Sequence, residues 1–251
     1  MHRMNTRSSS STFRFYEELN DFLPAERRKR AFDHHFSGTP SVKDTIEAIG
    51  IPHTEIDLIL VDGTSVDFSY LLKGGERVSV YPTFERLDIT EVTRLRPKPL
   101  REPRFVLDVH LGRLARYMRL LGFDTAYRND YSDGQIIDLS RGERRIILTR
   151  DRGILKHRAV THGHWMRNTS PREQLEEVVR VFDLRARVRP FTRCMECNGE
   201  LHAVGRDAVL EQIPPRVANA FQDFGRCDGC ARVYWRGSQY EQLARLVEEL
   251  L

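Results

Sequence analysis

Phe105-Val106-Leu107-Asp108-Val109-His110-Leu111-Gly112-Arg113-Leu114-Ala115-Arg116-Tyr117-Met118-Arg119-Leu120-Leu121-Gly122 changes its period in the middle. Phe105 to Leu107 is a continuous apolar run, the pattern of a strand buried on both faces, and it closes on Asp108. Beyond it Leu111, Leu114, Ala115, Met118 and Leu121 recur at helical spacing, and Gly122 supplies a stop. Downstream the alternation repeats. Residues 125–127 read as a strand, 135–141 as a helix, 145–149 as an apolar strand, 164–166 as a further strand, and 171–182 as an amphipathic helix with Leu175, Val178, Val179 and Phe182 inward. Strand and helix in turn predict a three-layer α/β domain on a parallel sheet over residues 104–188.

Ligands of an open parallel sheet collect at the carboxyl ends of its strands. Asp108 closes one strand and Asp151 follows another through Ile147-Leu148-Thr149-Arg150, while Asp133 opens the helix between them. Three carboxylates in one basin repel one another unless a divalent cation lies among them, and oxygen ligands select Mg2+ or Mn2+. Such a site hydrolyses phosphodiesters, so Asp108, Asp133 and Asp151 are the expected catalytic and Mg2+/Mn2+-binding residues. Each also has a plainer reading: Asp133 and Asp108 as helix caps, Asp151 as an ion-pair partner of Arg150 and Arg152. Arg113, Arg116 and Arg119 at three-residue spacing, with Arg150, Arg152, Lys156 and Arg158 around Asp151, suit a phosphate backbone. Asp124, Asp130 and Asp138 read as turn or solvent-facing residues.

All four cysteines fall in two pairs, Cys194-x2-Cys197 and Cys227-x2-Cys230. Two such knuckles supply the four thiolates of a closed, structural Zn2+ site, so the metal is expected to hold a ribbon together and do no chemistry. The ribbon and a final helix with Leu243, Leu246, Val247 and Leu250 on one face occupy residues 189–251. Tyr234, Trp235 and Arg236 either stack on bases or pack the ribbon core, and the core is the preferred reading.

Upstream, residues 1–11 are polar and Ser-rich and read as a disordered tail. Phe13-Arg14-Phe15 alternates as a strand; Val42, Ile46 and Ile49 share a helix face between Ser41 as cap and Gly50 as stop; residues 56–61, 65–68 and 77–81 are strands. Strands around one helix in residues 12–92 predict a small α+β domain. Residues 93–103 contain three prolines among basic residues and read as an extended linker. The net charge of +4 is uneven: residues 1–92 carry 11 Lys and Arg against 15 Asp and Glu, and residues 93–251 carry 29 against 21. Arginine supplies 35 of the 40 basic residues, which suits bidentate contacts to a phosphate-rich partner. No run reaches the roughly 20 apolar residues that span a bilayer, and the start lacks a secretory apolar core, so a cytoplasmic protein with no membrane partner is expected.

Residues 12–92 resemble the β-grasp, ubiquitin-like domains related to sulfur-carrier proteins, although Gly74-Gly75 is internal, which favours a docking module over sulfur transfer. The run from Phe105 to Asp124, the block Leu148-Thr149-Arg150-Asp151-Arg152-Gly153 and Val233-Tyr234-Trp235-Arg236-Gly237-Ser238 resemble the mut-seven C-terminal ribonuclease family. The resemblance implies a PIN-like nuclease domain with a zinc ribbon, preceded by a ubiquitin-like domain, and places the PIN metal-binding acids on Asp108, Asp133 and Asp151. Arg167-Asn168-Thr169 stands where PIN nucleases often have a fourth acid, and Gln239 where histidine is expected. The implied activity is metal-dependent, endonucleolytic cleavage of RNA, with tRNA, rRNA or ribosome-associated RNA as candidate substrates and a protein partner for the β-grasp domain. The rival reading is a non-catalytic RNA-binding scaffold.

Overall fold

The computed structural model describes residues 8–82, 95 and 103–250. In chain order the elements are β1 (Ser8–Phe15), β2 (Phe32–Ser37), α1 (Val42–Ile49), β3 (Ile56–Val61), β4 (Thr64–Ser65), β5 (Arg77–Pro82), β6 (Arg104–Leu107), α2 (Gly112–Leu120), β7 (Thr125–Ala126), α3 (Asp133–Glu143), β8 (Arg145–Thr149), α4 (Arg152–Leu155), β9 (Gly163–Trp165), α5 (Pro171–Val181), β10 (Leu201–Gly205), α6 (Pro215–Ala220), β11 (Asp223–Cys227), β12 (Val233–Trp235) and α7 (Ser238–Leu250), with short 3-10 turns between some of them. They form two compact units: among the described residues, 8–82, 95 and 151–165 make the first, and 103–150 with 166–250 the second. Residues 151–165, read from sequence as part of the α/β domain, thus pack with the N-terminal fold. The expected linker lies outside the described residues except for Leu95 and Pro103.

The first unit has a five-stranded sheet in the order β2-β1-β5-β3-β4, with β1 and β5 parallel at its centre and the other pairs antiparallel. Helix α1 begins where Ser41 Oγ accepts from Asp44 N at 3.0 Å and ends at Gly50, whose φ of 124° no other residue adopts easily. Its inward residues Val42 and Ile46 pack with Phe13, Phe15, Ile59, Val78 and Val80 into one apolar core. This is the expected α+β arrangement, with corrections: β2 was not expected, and the strand expected over residues 65–68 is only the two-residue β4, Thr64–Ser65. Ser8 to Ser11, expected in a disordered tail, are the first half of β1: they pair with residues 34–37 of β2, and the buried Ser11 hydroxyl donates to Glu76 Oε2 at 2.6 Å. Strand pairing repays the entropy that composition alone leaves uncompensated.

In the second unit β6 lies between β7 and β8, parallel to both, with Phe105 opposite Thr125 and Ile146. Every residue of β8 is buried, and so are Phe105, Val106 and Leu107, which explains their unbroken apolar character. Helix α3 packs on β6 and β8, and α2 on α5. The ribbon follows as an antiparallel sheet β10-β11-β12 with a small core of Val209, Ile213, Val217, Ala218 and Phe224, onto which Trp235 packs.

Candidate functional site

Asp108 stands where β6 ends and a 3-10 turn begins, and it is 7% exposed. Its Oδ1 accepts from His110 N at 2.7 Å, and its Oδ2 accepts from Thr149 Oγ1 at 2.6 Å and from Arg150 N at 3.3 Å. The carboxylate is therefore fixed at the common carboxyl edge of β6 and β8. Gly112 opens α2 beside it because a Cβ there would lie 2.6 Å from the Tyr127 hydroxyl, which crosses the helix start to donate to Val109 O at 2.9 Å. Burial, with the Asp108 charge behind it, raises the Tyr127 phenol above its ordinary value, so a neutral hydroxyl lies near this carboxylate.

Asp133 is exposed at the first residue of α3, and Ser132, not Asp133, does the capping: Ser132 Oγ accepts from Gln135 N at 3.4 Å while Gln135 Oε1 accepts from Ser132 N at 2.9 Å. Asp151 belongs to the first unit, exposed, and caps α4 by accepting from Gly153 N at 2.7 Å.

The basic residues divide. Arg113, Arg116 and Arg150 are exposed, although Arg116 pairs with Glu196 at 3.0 Å. Arg152 stacks 4.0 Å from the centre of the Trp165 ring, and Lys156 Nζ donates to Glu47 O at 2.8 Å. Arg119, expected on the same surface as Arg113 and Arg116, is 3% exposed. Its guanidinium donates to Thr125 O at 2.9 Å, Met195 O at 3.1 Å and Glu196 O at 2.7 Å, so it clamps the first cysteine knuckle to α2 and β7. A spacing of three falls short of the 3.6-residue turn and drifts toward the core side.

The four cysteines are free thiols, and their Sγ atoms all lie within 4.8 Å of one another. Cys194 and Cys227 are buried, Cys197 and Cys230 exposed. Gly199 is required for space: a Cβ there would lie 2.8 Å from Cys227 Sγ. Its neighbour Asn198 takes the left-handed turn, with φ of 72°. Against the opposing effect of burial, the Tyr234 hydroxyl, 3.0 Å from Cys194 Sγ, helps to lower that thiol to about 7, while burial and the neighbouring thiols push Cys197 up to about 12. A cation at the centre would offset the charge of the thiolates that face it. The donor set fits Zn2+. Among the described residues this is the one group of three or more His, Cys, Asp or Glu ligands gathered so closely, so the carboxylates of Asp108, Asp133 and Asp151 are considered one at a time.

Several groups that hold this unit together escape a reading by motif. Asp124, expected as a turn residue, accepts from Arg145 Nη1 at 2.7 Å and from Asn198 Nδ2 at 2.7 Å, while Asn198 Oδ1 accepts from Thr125 N at 2.9 Å. Burial alone would raise the Asp124 carboxyl, but these hydrogen bonds and the Arg145 charge hold it below the usual carboxylate value. Glu177 on α5 is buried, and its carboxylate accepts from the backbone N of Arg167 at 3.0 Å and from Asn168 Nδ2 at 2.9 Å. An acid therefore does stand against Asn168, supplied by a helix. Its signal was a polar residue on the inward stripe of an otherwise amphipathic helix.

The described chain thus consists of an α+β unit and a parallel α/β unit, the second with a four-cysteine ribbon and a carboxylate fixed at its strand ends. The Mut7-C RNAse domain matches residues 103–247 and the Mut7-C ubiquitin domain matches residues 8–88. The chain belongs to the Mut7-C RNAse domain family. No curated protein and no solved structure matches it.

Proposed function

We propose that the protein is a metal-dependent endoribonuclease that hydrolyses RNA phosphodiester bonds at the carboxyl edge of β6 and β8. The observation that carries this reading is Asp108, a buried carboxylate closing a buried strand and oriented by Thr149, Arg150 and His110. Asp133 and Asp151 are the further acids of the proposed metal-binding set. Mg2+ often binds through one or two carboxylates and completes its shell with water and substrate phosphate, so RNA itself would supply ligands at such a site. When bound, Mg2+ or Mn2+ supplies an acidified water and charge for the phosphoryl group. The chain's part is to hold Asp108 rigid, to present Arg113, Arg116 and Arg150 to the backbone, and to keep the Tyr127 hydroxyl protonated nearby. The reading further includes PIN-like architecture, a structural Zn2+ in the ribbon, a cytoplasmic setting, substrates among tRNA, rRNA or ribosome-associated RNA, and a protein partner for the ubiquitin-like domain.

The test is cleavage of labelled single-stranded RNA with Mn2+ or Mg2+ by the wild type, Asp108→Asn, Asp133→Asn and Asp151→Asn. Loss of about a hundredfold or more in Asp108→Asn, with binding retained, supports the reading. A wild type that binds RNA and never cuts it supports the scaffold reading instead, which the full hydrogen bonding of Asp108 favours, since a carboxylate so engaged can act as a turn cap alone.

A further inference from the structure

Residues 151–165 have little structure of their own. They contain a four-residue helix and a three-residue strand, joined by local turns such as His157 N to Ile154 O at 3.2 Å and Val160 N to His157 O at 2.9 Å. So short a segment keeps one shape only when something outside it holds the backbone.

In the first unit that holder is the loop and helix end before β3. The buried His53 ring meets an acceptor with each nitrogen: Nδ1 lies 2.6 Å from Glu47 Oε1 and Nε2 lies 2.7 Å from Val160 O. The two contacts hold the ring between the α1 carboxylate and the Val160 carbonyl. Lys156 Nζ caps the end of α1 at Glu47 O, 2.8 Å away, and Glu55, 4% exposed, accepts from Trp165 N with its Oε1 3.4 Å from His164 Nδ1. Trp165 packs on the apolar core, its ring 5.0 Å from that of Phe22, and Arg152 lies over both rings. Between Arg152 and Trp165 the segment is held at its start, its middle and its end.

We propose that the ubiquitin-like fold is the positioning element for Asp151: His53, with Glu47 and Glu55, fixes the 151–165 segment, so a domain that reads as a docking module sets the geometry of a nuclease motif residue. His53 is a positioning residue. It acts through Val160 and touches no substrate. The structural part of the proposal stands on the contacts alone, and its consequence for catalysis rests on the ribonuclease reading above.

Hydrogen–deuterium exchange on the full chain separates the two parts, comparing the wild type with His53→Gln and Lys156→Met. Glutamine has one side-chain nitrogen and cannot place it at both ring-nitrogen positions, and methionine removes the contact to Glu47 O while keeping the length of the stem. Amides of residues 152–165 should exchange about tenfold faster or more in each variant, with residues 56–61 as protected as in the wild type. In RNA cleavage the Mn2+ concentration for half-maximal rate should rise in His53→Gln while the KM for RNA stays within about twofold, a split that a general loss of folded protein would not produce. Unchanged exchange at 152–165 in both variants overturns the proposal, as does equal loss at 56–61 in both, which makes His53 and Lys156 ordinary stabilisers of the fold. If exchange behaves as expected and no variant or wild type cuts RNA, the clasp stands and the ribonuclease reading falls.

Discussion

The ubiquitin-like fold and the four-cysteine ribbon reach stability by opposite routes. The first gathers Phe13, Phe15, Ile46, Ile59, Val78, Val80 and their neighbours into one apolar core. The ribbon has five buried apolar residues in its own cluster, and its cysteine end is fixed by thiols and by polar clamps to the α/β core, through Arg119 to Met195 O and Glu196 O and through Asn198 to Asp124 and Thr125. Where apolar area is scarce, directed hydrogen bonds and a ligand set suited to a metal take its place.

Removing the metal should divide the two most sharply. A chelator, or Cys227→Ser, should leave residues 194–235 exchanging amide protons like an unfolded chain while residues 56–61 keep their protection, since a structural Zn2+ contributes on the order of 10 kcal/mol. Equal loss in both regions would erase the contrast. Phe13→Ala should do the reverse, destabilising the first unit by about 3–5 kcal/mol in urea unfolding and leaving zinc content unchanged. Arg119→Met should come next, at about 3 kcal/mol, because it leaves carbonyls of the knuckle without a donor; ribbon exchange should accelerate with zinc still bound. The Asp124 contact is smaller and depends on pH. Its carboxyl is held below the ordinary value of 3.8, so its contribution is complete above that value and is lost as pH falls through the lower folded value; thermal melts of Asp124→Asn should lack that acid limb. Ser41→Ala, which removes one cap at the surface of the first unit, should cost about 1 kcal/mol by denaturant titration.

What could be read from the residues followed the same division. Helix α1, with Ser41 and Gly50 at its ends, and the apolar runs of β3, β6 and β8 stand where period and burial agree. Strand β2 alternates Phe32, His34 and Phe36 inward, but two adjacent histidines hid the period, and its edge position asks for less apolar character. The buried place of Asp108 at the end of β6 was legible because the apolar run stops on it. Arg119, Asp124, Asn198 and Glu177 were not, because their roles lie in hydrogen bonds to backbone and side-chain groups of other elements, which leave no local pattern. The assignment of residues 151–165 to the first unit was hidden for a related reason: the chain is continuous with β8, and the holding contacts come from residues about a hundred positions earlier, such as His53 to Val160.

The Asn198 side chain has a second effect, at the margin of the parallel sheet. Strand β7 is its last member on that side, and an outward N–H on such a strand invites another chain to pair with it. Asn198 Oδ1 occupies the Thr125 N–H, so the first cysteine knuckle works as a cover on the sheet's open margin. A protein stripped of zinc would expose that margin before it lost the sheet, and its first visible fault would be self-association in concentrated solution.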